Sequence, residues 1–164
     1  MAAPLIIVGE APGENEDATG IPFVGKAGQL LDRLISGAGL EPNNDTVITN
    51  TVLCRPPGNR NPLWDEMSAC KPRLDMFVKI CEPKAGLLVG GVPAGFLAGV
   101  TSITRDAGKV FDIYFSWHGG TRVIPMVATY HTSYIMRQGW LLRETLEKAF
   151  INHLLEAWSL ANGR

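Results

Sequence analysis

Five side chains stand where they could share one reaction. Glu10 follows the apolar run at 5–8 (LIIV), inside the turn Gly9-Glu10-Ala11-Pro12-Gly13. Asn50 is an amide within the β-branched run at 46–53 (TVITNTVL), and Asn59 lies beyond it in 54–62 (CRPPGNRNP). His131 follows the last apolar run, and Phe23 returns an aromatic ring from the loop after the first. A carboxylate, two amides, an imidazole and a ring suit a flat, uncharged ligand that is rich in hydrogen-bonding edges. A nucleobase has that chemistry. Each group also has a plainer role open to it. The acids at 14–17 could be a solvated loop, Asn50 either braces a loop or faces a ligand, and His131 could be a satisfied structural histidine.

What would bring these groups together is a parallel sheet. Residues 5–8, 46–53 and 85–89 are short apolar or β-branched runs and read as buried strands. In open α/β sheets, ligands sit just past the carboxyl ends of the strands. Between the strands, 27–38 places Leu30, Leu31, Leu34 and Ile35 at helical spacing, and Gly39 is a natural stop. Asn61-Pro62 suits the start of a helix running towards Ile80, with Pro72 expected to kink or divide it. Gly90-Gly91 opens a short helix to about Ala98. The run 109–127 reads as a hairpin turning at His118-Gly119-Gly120 and feeding the last buried strand. A long helix over about 140–160 closes the chain, with Leu142, Leu146, Ala149, Phe150 and Ala157 on its apolar face. Strands alternating with helices argue for a three-layer α/β domain with a largely parallel sheet.

The chain has 164 residues, 46% hydrophobic and 19% charged, which fits one globular domain over 1–164 with a real core. No apolar run is long enough to span a membrane, and the N-terminus shows no basic leader. Three cysteines, Cys54, Cys70 and Cys81, form no paired framework and suggest a reducing, cytoplasmic compartment. A net charge of −1 advertises no nucleic acid, so such a partner needs a local basic patch.

Several catalytic motifs fail. Residues 20–27 (GIPFVGKA) approach a phosphate-cradling P-loop, but Ala27 stands where a hydroxyl should hold magnesium, and no strand directly precedes Gly20. There is no dinucleotide fingerprint after a strand, no nucleophile elbow and no C-x-x-C pair.

The chain resembles the family 4 uracil-DNA glycosylases. The likeness lies in GEAPGENEDATGIPFVGKAGQLLD (9–32), ITNTVLCRPPGNRNP (48–62), LLVGG (87–91), SITRDAGKV (102–110) and YHTSYIMR (130–137), in the family's order. The resemblance implies an α/β/α sandwich with a central, mainly parallel four-stranded sheet. It also implies a monomeric, monofunctional enzyme of base excision repair that acts on uracil-containing DNA, single- or double-stranded, and leaves an abasic site. It assigns Phe23 to stack on the flipped base, Asn50 to read its polar edge, and the Ala11 backbone to touch it. His131 would sit against uracil O2, while Glu10 and Asn59 would position or activate water. Ser133 and Arg137 would grip the DNA backbone or wedge into the helix, and Lys26, Arg55 and Arg60 would bind the DNA backbone with them.

The chain departs from the family in two places. The family has proline after the histidine, where this chain has Thr132. Family members hold a [4Fe–4S] cluster on four cysteines, of which Cys54 and Cys70 match two, and Cys81 matches none. The N-terminal pair is absent, so no intact cluster is expected, through either natural loss or truncation. A related branch traps DNA covalently through a histidine in an inserted loop. Residues 54–62 hold no histidine, so turnover is expected. Glycosylases of this fold for another modified base, and non-catalytic nucleic-acid-binding relatives, are the competing readings.

Overall fold

The computed structural model describes residues 3–163. Its centre is a sheet in the order β2-β1-β3-β5-β4. Strands β1 (Leu5–Gly9), β2 (Thr46–Asn50), β3 (Ala85–Val89) and β5 (Gly120–Thr129) run parallel, and β4 (Val110–Trp117) is antiparallel to β5. The sheet therefore has five strands, not four. The outer arm of the hairpin pairs along its whole length with β5 and becomes an edge strand.

β1 and β3 are buried at every position because both faces of the sheet are covered. Alternate side chains point to opposite faces. Leu5, Ile7, Leu87 and Val89 meet α2 (Lys26–Gly37) and α7 (Trp140–Ala161) through Leu30, Leu31, Leu34, Phe150 and Leu154. Ile6, Val8 and Leu88 meet α3 (Trp64–Cys81) and α4 (Gly91–Ala98) through Leu74, Val78 and Ala94. Three layers result.

Three local expectations differ from the structure. The acidic segment after β1 forms a short helix, α1 (Glu14–Thr19), with no buried residue. α3 begins at Trp64 rather than at Pro62, because Glu66 Oε1 reaches back to accept from the Leu63 N–H at 2.8 Å. Pro72 neither divides nor stops α3, which continues to Cys81. Pro72 faces solvent, while Met67, Leu74 and Val78 hold the helix by burial on either side of it. Two further short helices, α5 (Ile103–Asp106) and α6 (Thr132–Met136), flank the β4–β5 hairpin in sequence.

β1 has β2 on one side and β3 on the other, so the chain changes direction across the sheet there. The loops leaving β1, β2 and β5 then open from one edge. That is the place for a site.

Candidate active site

A cleft of about 580 Å³ lies at this edge. Glu10 and Ala11 leave β1, Asn50 ends β2, Phe23 and Lys26 come from the loop into α2, and Asn59 and Arg60 come from the loop after β2. His131, Ser133 and Arg137 descend from β5 and α6. Of the residues expected from sequence to act on the base, the water or the DNA backbone, Arg55 alone does not line the cleft. Its Nε instead donates to Asn59 Oδ1 at 2.6 Å, which leaves the Asn59 NH2 group for the cleft.

Asn50 is only 4% exposed, and its side chain makes no hydrogen bond among the described residues. A buried amide without a protein partner is unusual, and both of its polar ends remain available to whatever enters. Its backbone is fixed instead. The Asn50 carbonyl accepts from Arg73 Nη2 at 2.6 Å, and Arg73 Nη1 donates to Thr49 Oγ1 at 2.8 Å.

The Phe23 ring is held against Asn50 by two close approaches. A Cβ on Gly9 would lie 2.4 Å from Phe23 Cζ and 2.6 Å from Asn50 Oδ1, so only glycine fits. A Cβ on Gly28 would lie 1.7 Å from the Phe23 carbonyl oxygen, so α2 can press on this loop only through a glycine. Phe23 itself has φ of 57°, a strained backbone for an aromatic residue. Glu16 stabilises the turn, because its Oε1 accepts from the Val24 and Gly25 N–H groups at 3.1 and 3.0 Å.

His131 caps α6, and its Nδ1 accepts from the Ser133 N–H at 3.0 Å. A ring nitrogen that accepts carries no proton, so the neutral ring must hold its hydrogen on Nε2. Burial, together with nearby Arg137, pushes the His131 pKa down and favours that neutral form. The Phe23 and His131 rings lie near parallel, at 26°, with centroids 6.3 Å apart. Burial pushes the Glu10 carboxyl up from its ordinary value. Thus the cleft presents a fixed imidazole donor, an unpaired amide, a ring face and a carboxylate of raised basicity.

The positive charges differ in their availability. Arg60 is paired with Glu66, at 2.7 Å. Lys26 and Arg137 are exposed and make no ion pair among the described residues. Sequence reasoning missed Arg73 and the bracing role of Glu16. Neither has a local signal, since each acts on a segment distant in sequence.

An iron–sulfur cluster takes four thiolates. Cys54 is exposed, Cys70 half-buried and Cys81 buried at the end of α3. The described residues contain no group of three or more cysteine, histidine or acidic side chains arranged to hold a metal. The thiols present do not fit that cluster.

Fold and cleft together define an α/β protein with a polar cleft at the point where its sheet reverses. Comparison with known proteins makes this specific. The model of the uracil DNA glycosylase superfamily matches residues 1–155. The type-4 uracil-DNA glycosylase of Thermotoga maritima is 41% identical over 135 residues, covering 81% of this chain and 66% of that protein. Its counterpart in Sulfurisphaera tokodaii is 40% identical over 154 residues, covering 90% and 67% respectively. That of Saccharolobus solfataricus is 37% identical over 149 residues, covering 90% and 68%. The chain spans about two thirds of the length of these relatives. It belongs to the uracil-DNA glycosylase superfamily.

Among the described residues, no helix is long and apolar enough to cross a membrane.

Proposed function

We propose that this chain is a monofunctional DNA glycosylase that flips uracil out of DNA, hydrolyses its N-glycosidic bond and leaves an abasic site. It works as a monomer in base excision repair. The observation that carries this is Asn50, a buried amide facing the cleft without a protein partner, with the Phe23 ring beside it.

The mechanism follows from where charge develops. As the C1′–N1 bond breaks, its electron pair moves into the base and reaches O2, while positive charge grows on the sugar. His131 donates from Nε2 to O2 in the manner of an oxyanion donor. Asn50 donates to O4 and accepts from N3–H, an edge that cytosine presents with reversed polarity. Phe23 stacks on the flipped ring, and the Ala11 backbone touches it. Glu10 opposes the sugar's charge and accepts the proton of the attacking water, which the Asn59 NH2 group orients. The water oxygen bonds to C1′, and its proton passes through Glu10 to the departing base. Flipping costs a few kcal/mol, offset by stacking and edge hydrogen bonds. Lys26, Arg60, Ser133 and Arg137 meet the backbone around the cleft, and Arg55 acts through Asn59.

All of these groups except Arg55 line the cleft. Cys54 and Cys70 supply two of the four thiolates that the family's cluster takes, and no step of the hydrolysis needs them.

The test is a labelled single-stranded oligonucleotide carrying one uracil, incubated with EDTA and then treated with alkali. Breakage at the uracil is expected, and Asn50→Ala should abolish it. An intact strand after incubation with wild-type protein would sink the proposal. So would full activity in Asn50→Ala.

A further inference from the structure

Two helices of opposite layers, α3 and α7, each begin with an exposed tryptophan three residues after a residue that lines the cleft. Trp64 follows Asn61, and Trp140 follows Arg137. The two are not equivalent. The Trp64 ring packs edge-on against Phe96, with centroids 4.8 Å apart, and Asp65 and Glu66 stand beside it in the first turn. It has an aromatic partner and a phosphate-repelling setting.

Trp140 has neither. It is 75% exposed, and Leu141 beside it is 65% exposed. With Leu142, also exposed, three large apolar side chains stand in succession at this helix start and gain nothing for the fold, because α7 is held by Leu146, Phe150 and Leu154 further along. No acid stands in the first turn of α7, although acids are favoured there. Arg137 is exposed and unpaired among the described residues, and three residues of chain reach at most about 11 Å. The apolar step therefore starts within about 11 Å of a cleft residue that carries a free positive charge.

We propose that Trp140, with Leu141 beside it, is a stacking ledge for the base next to the flipped uracil. The proposal rests on the glycosylase reading of the cleft. Its occupant is a nucleobase of the same strand. Withdrawal of one nucleotide leaves its neighbour with an unstacked face, and an aromatic ring accepts any base on such a face. Arg137 meets the phosphate between the two nucleotides. The ledge adds affinity without sequence preference, and adds most where no complementary strand competes for the base.

Single-turnover cleavage at increasing enzyme concentration tests this on two single-stranded oligonucleotides. One has a normal base on each side of the uracil. In the other, both flanking nucleotides are tetrahydrofuran residues without bases. On the first, Trp140→Ala should raise the half-saturating enzyme concentration about tenfold and leave the maximal rate nearly unchanged. Trp140→Phe should restore most of the loss. On the second, wild type and Trp140→Ala should coincide. The ledge is overturned if Trp140→Ala matches wild type on the first oligonucleotide, or if its defect is as large on the second. Wild-type protein that releases uracil from neither would instead overturn the glycosylase reading, and the ledge with it.

Discussion

The Ser133 N–H donates to His131 Nδ1 at 3.0 Å, and this one bond settles which ring nitrogen carries the proton. The donor at Nε2 is present before substrate arrives, so no reorganisation is needed when charge reaches the base. His131→Ala should lower the single-turnover rate about 10²–10³-fold, as for loss of one oxyanion donor, with little change in half-saturation. A loss below tenfold would remove His131 from that role.

The same site fixes the pH profile. In the proposed mechanism Glu10 accepts a proton and must be ionised, and burial raises its pKa above 4.5. Activity should therefore fall as pH drops through that raised value. His131 is held below its usual 6.5, so its protonation adds to the loss only on the acid side. Neither group predicts a decline as pH rises from 7 to 9. A profile of kcat/KM with an acid limb below 4.5 would contradict the burial of Glu10.

Glu10 also sets function against stability. Its folded-state pKa is raised, so the folded protein binds the proton more tightly than the unfolded chain does. Stability is then full below the unfolded value and is lost as pH rises through the folded one. Glu10→Gln should be inactive at pH 7 yet melt at a higher temperature than wild type. The difference should shrink towards zero well below pH 4.5, where the wild-type carboxyl is protonated in both states. Equal melting temperatures at both pH values would mean that the carboxylate bears no desolvation cost.

Much of this architecture is written locally in the sequence, and the exceptions share a cause. β3 follows its apolar run residue for residue, and β1 extends it only to Gly9, because a buried parallel strand is uniformly apolar. β2 stops at Asn50, three residues short of its β-branched run. Thr51 turns away there, and its N–H and Oγ1 both donate to the Gly9 carbonyl, at 2.9 and 2.7 Å. α1 is invisible to periodicity, since ENEDAT buries nothing. The cleft residues at strand ends were legible because topology alone brings strand ends together. Arg73 and the bracing role of Glu16 were not, because each acts through a hydrogen bond across a stretch of chain that no local pattern spans; Arg55, read as a DNA-backbone contact, instead holds Asn59 four residues on.

Thr132 follows His131 at the position where the resemblance to the family implies proline, and the structure says what a threonine there costs. Thr132 is the first residue of α6 and is fully buried, and its Oγ1 has no partner among the described residues. Proline suits the first helical position, where an N–H is unpaired anyway. His131 already has φ −69° and ψ 139°, the extended backbone that a residue before proline prefers. Thr132→Pro should stabilise the protein by about 1 kcal/mol, a rise of about 2–4 °C in Tm for a chain of this size. Uracil release should be retained. A lower Tm would mean that the buried hydroxyl or the Thr132 N–H has a partner in solution.

Arg73 reaches from α3 to the carbonyl of Asn50 and to Thr49 Oγ1, and so holds Asn50, the residue proposed to read the base, from behind. Its guanidinium is an expensive anchor. Burial pushes its pKa down, and its Nε is buried without a partner among the described residues. Arg73→Met removes both the two hydrogen bonds and the desolvation cost, so stability should change by no more than about 1 kcal/mol. Asn50 would lose its fixed register, and kcat/KM on uracil DNA should fall about tenfold, mostly through KM because edge recognition precedes bond breaking. Arg73→Lys should not rescue it, since one ammonium cannot hold both acceptors in the fork geometry of the guanidinium. A lowered Tm with unchanged KM would make Arg73 a brace of the fold and not a positioning residue for Asn50.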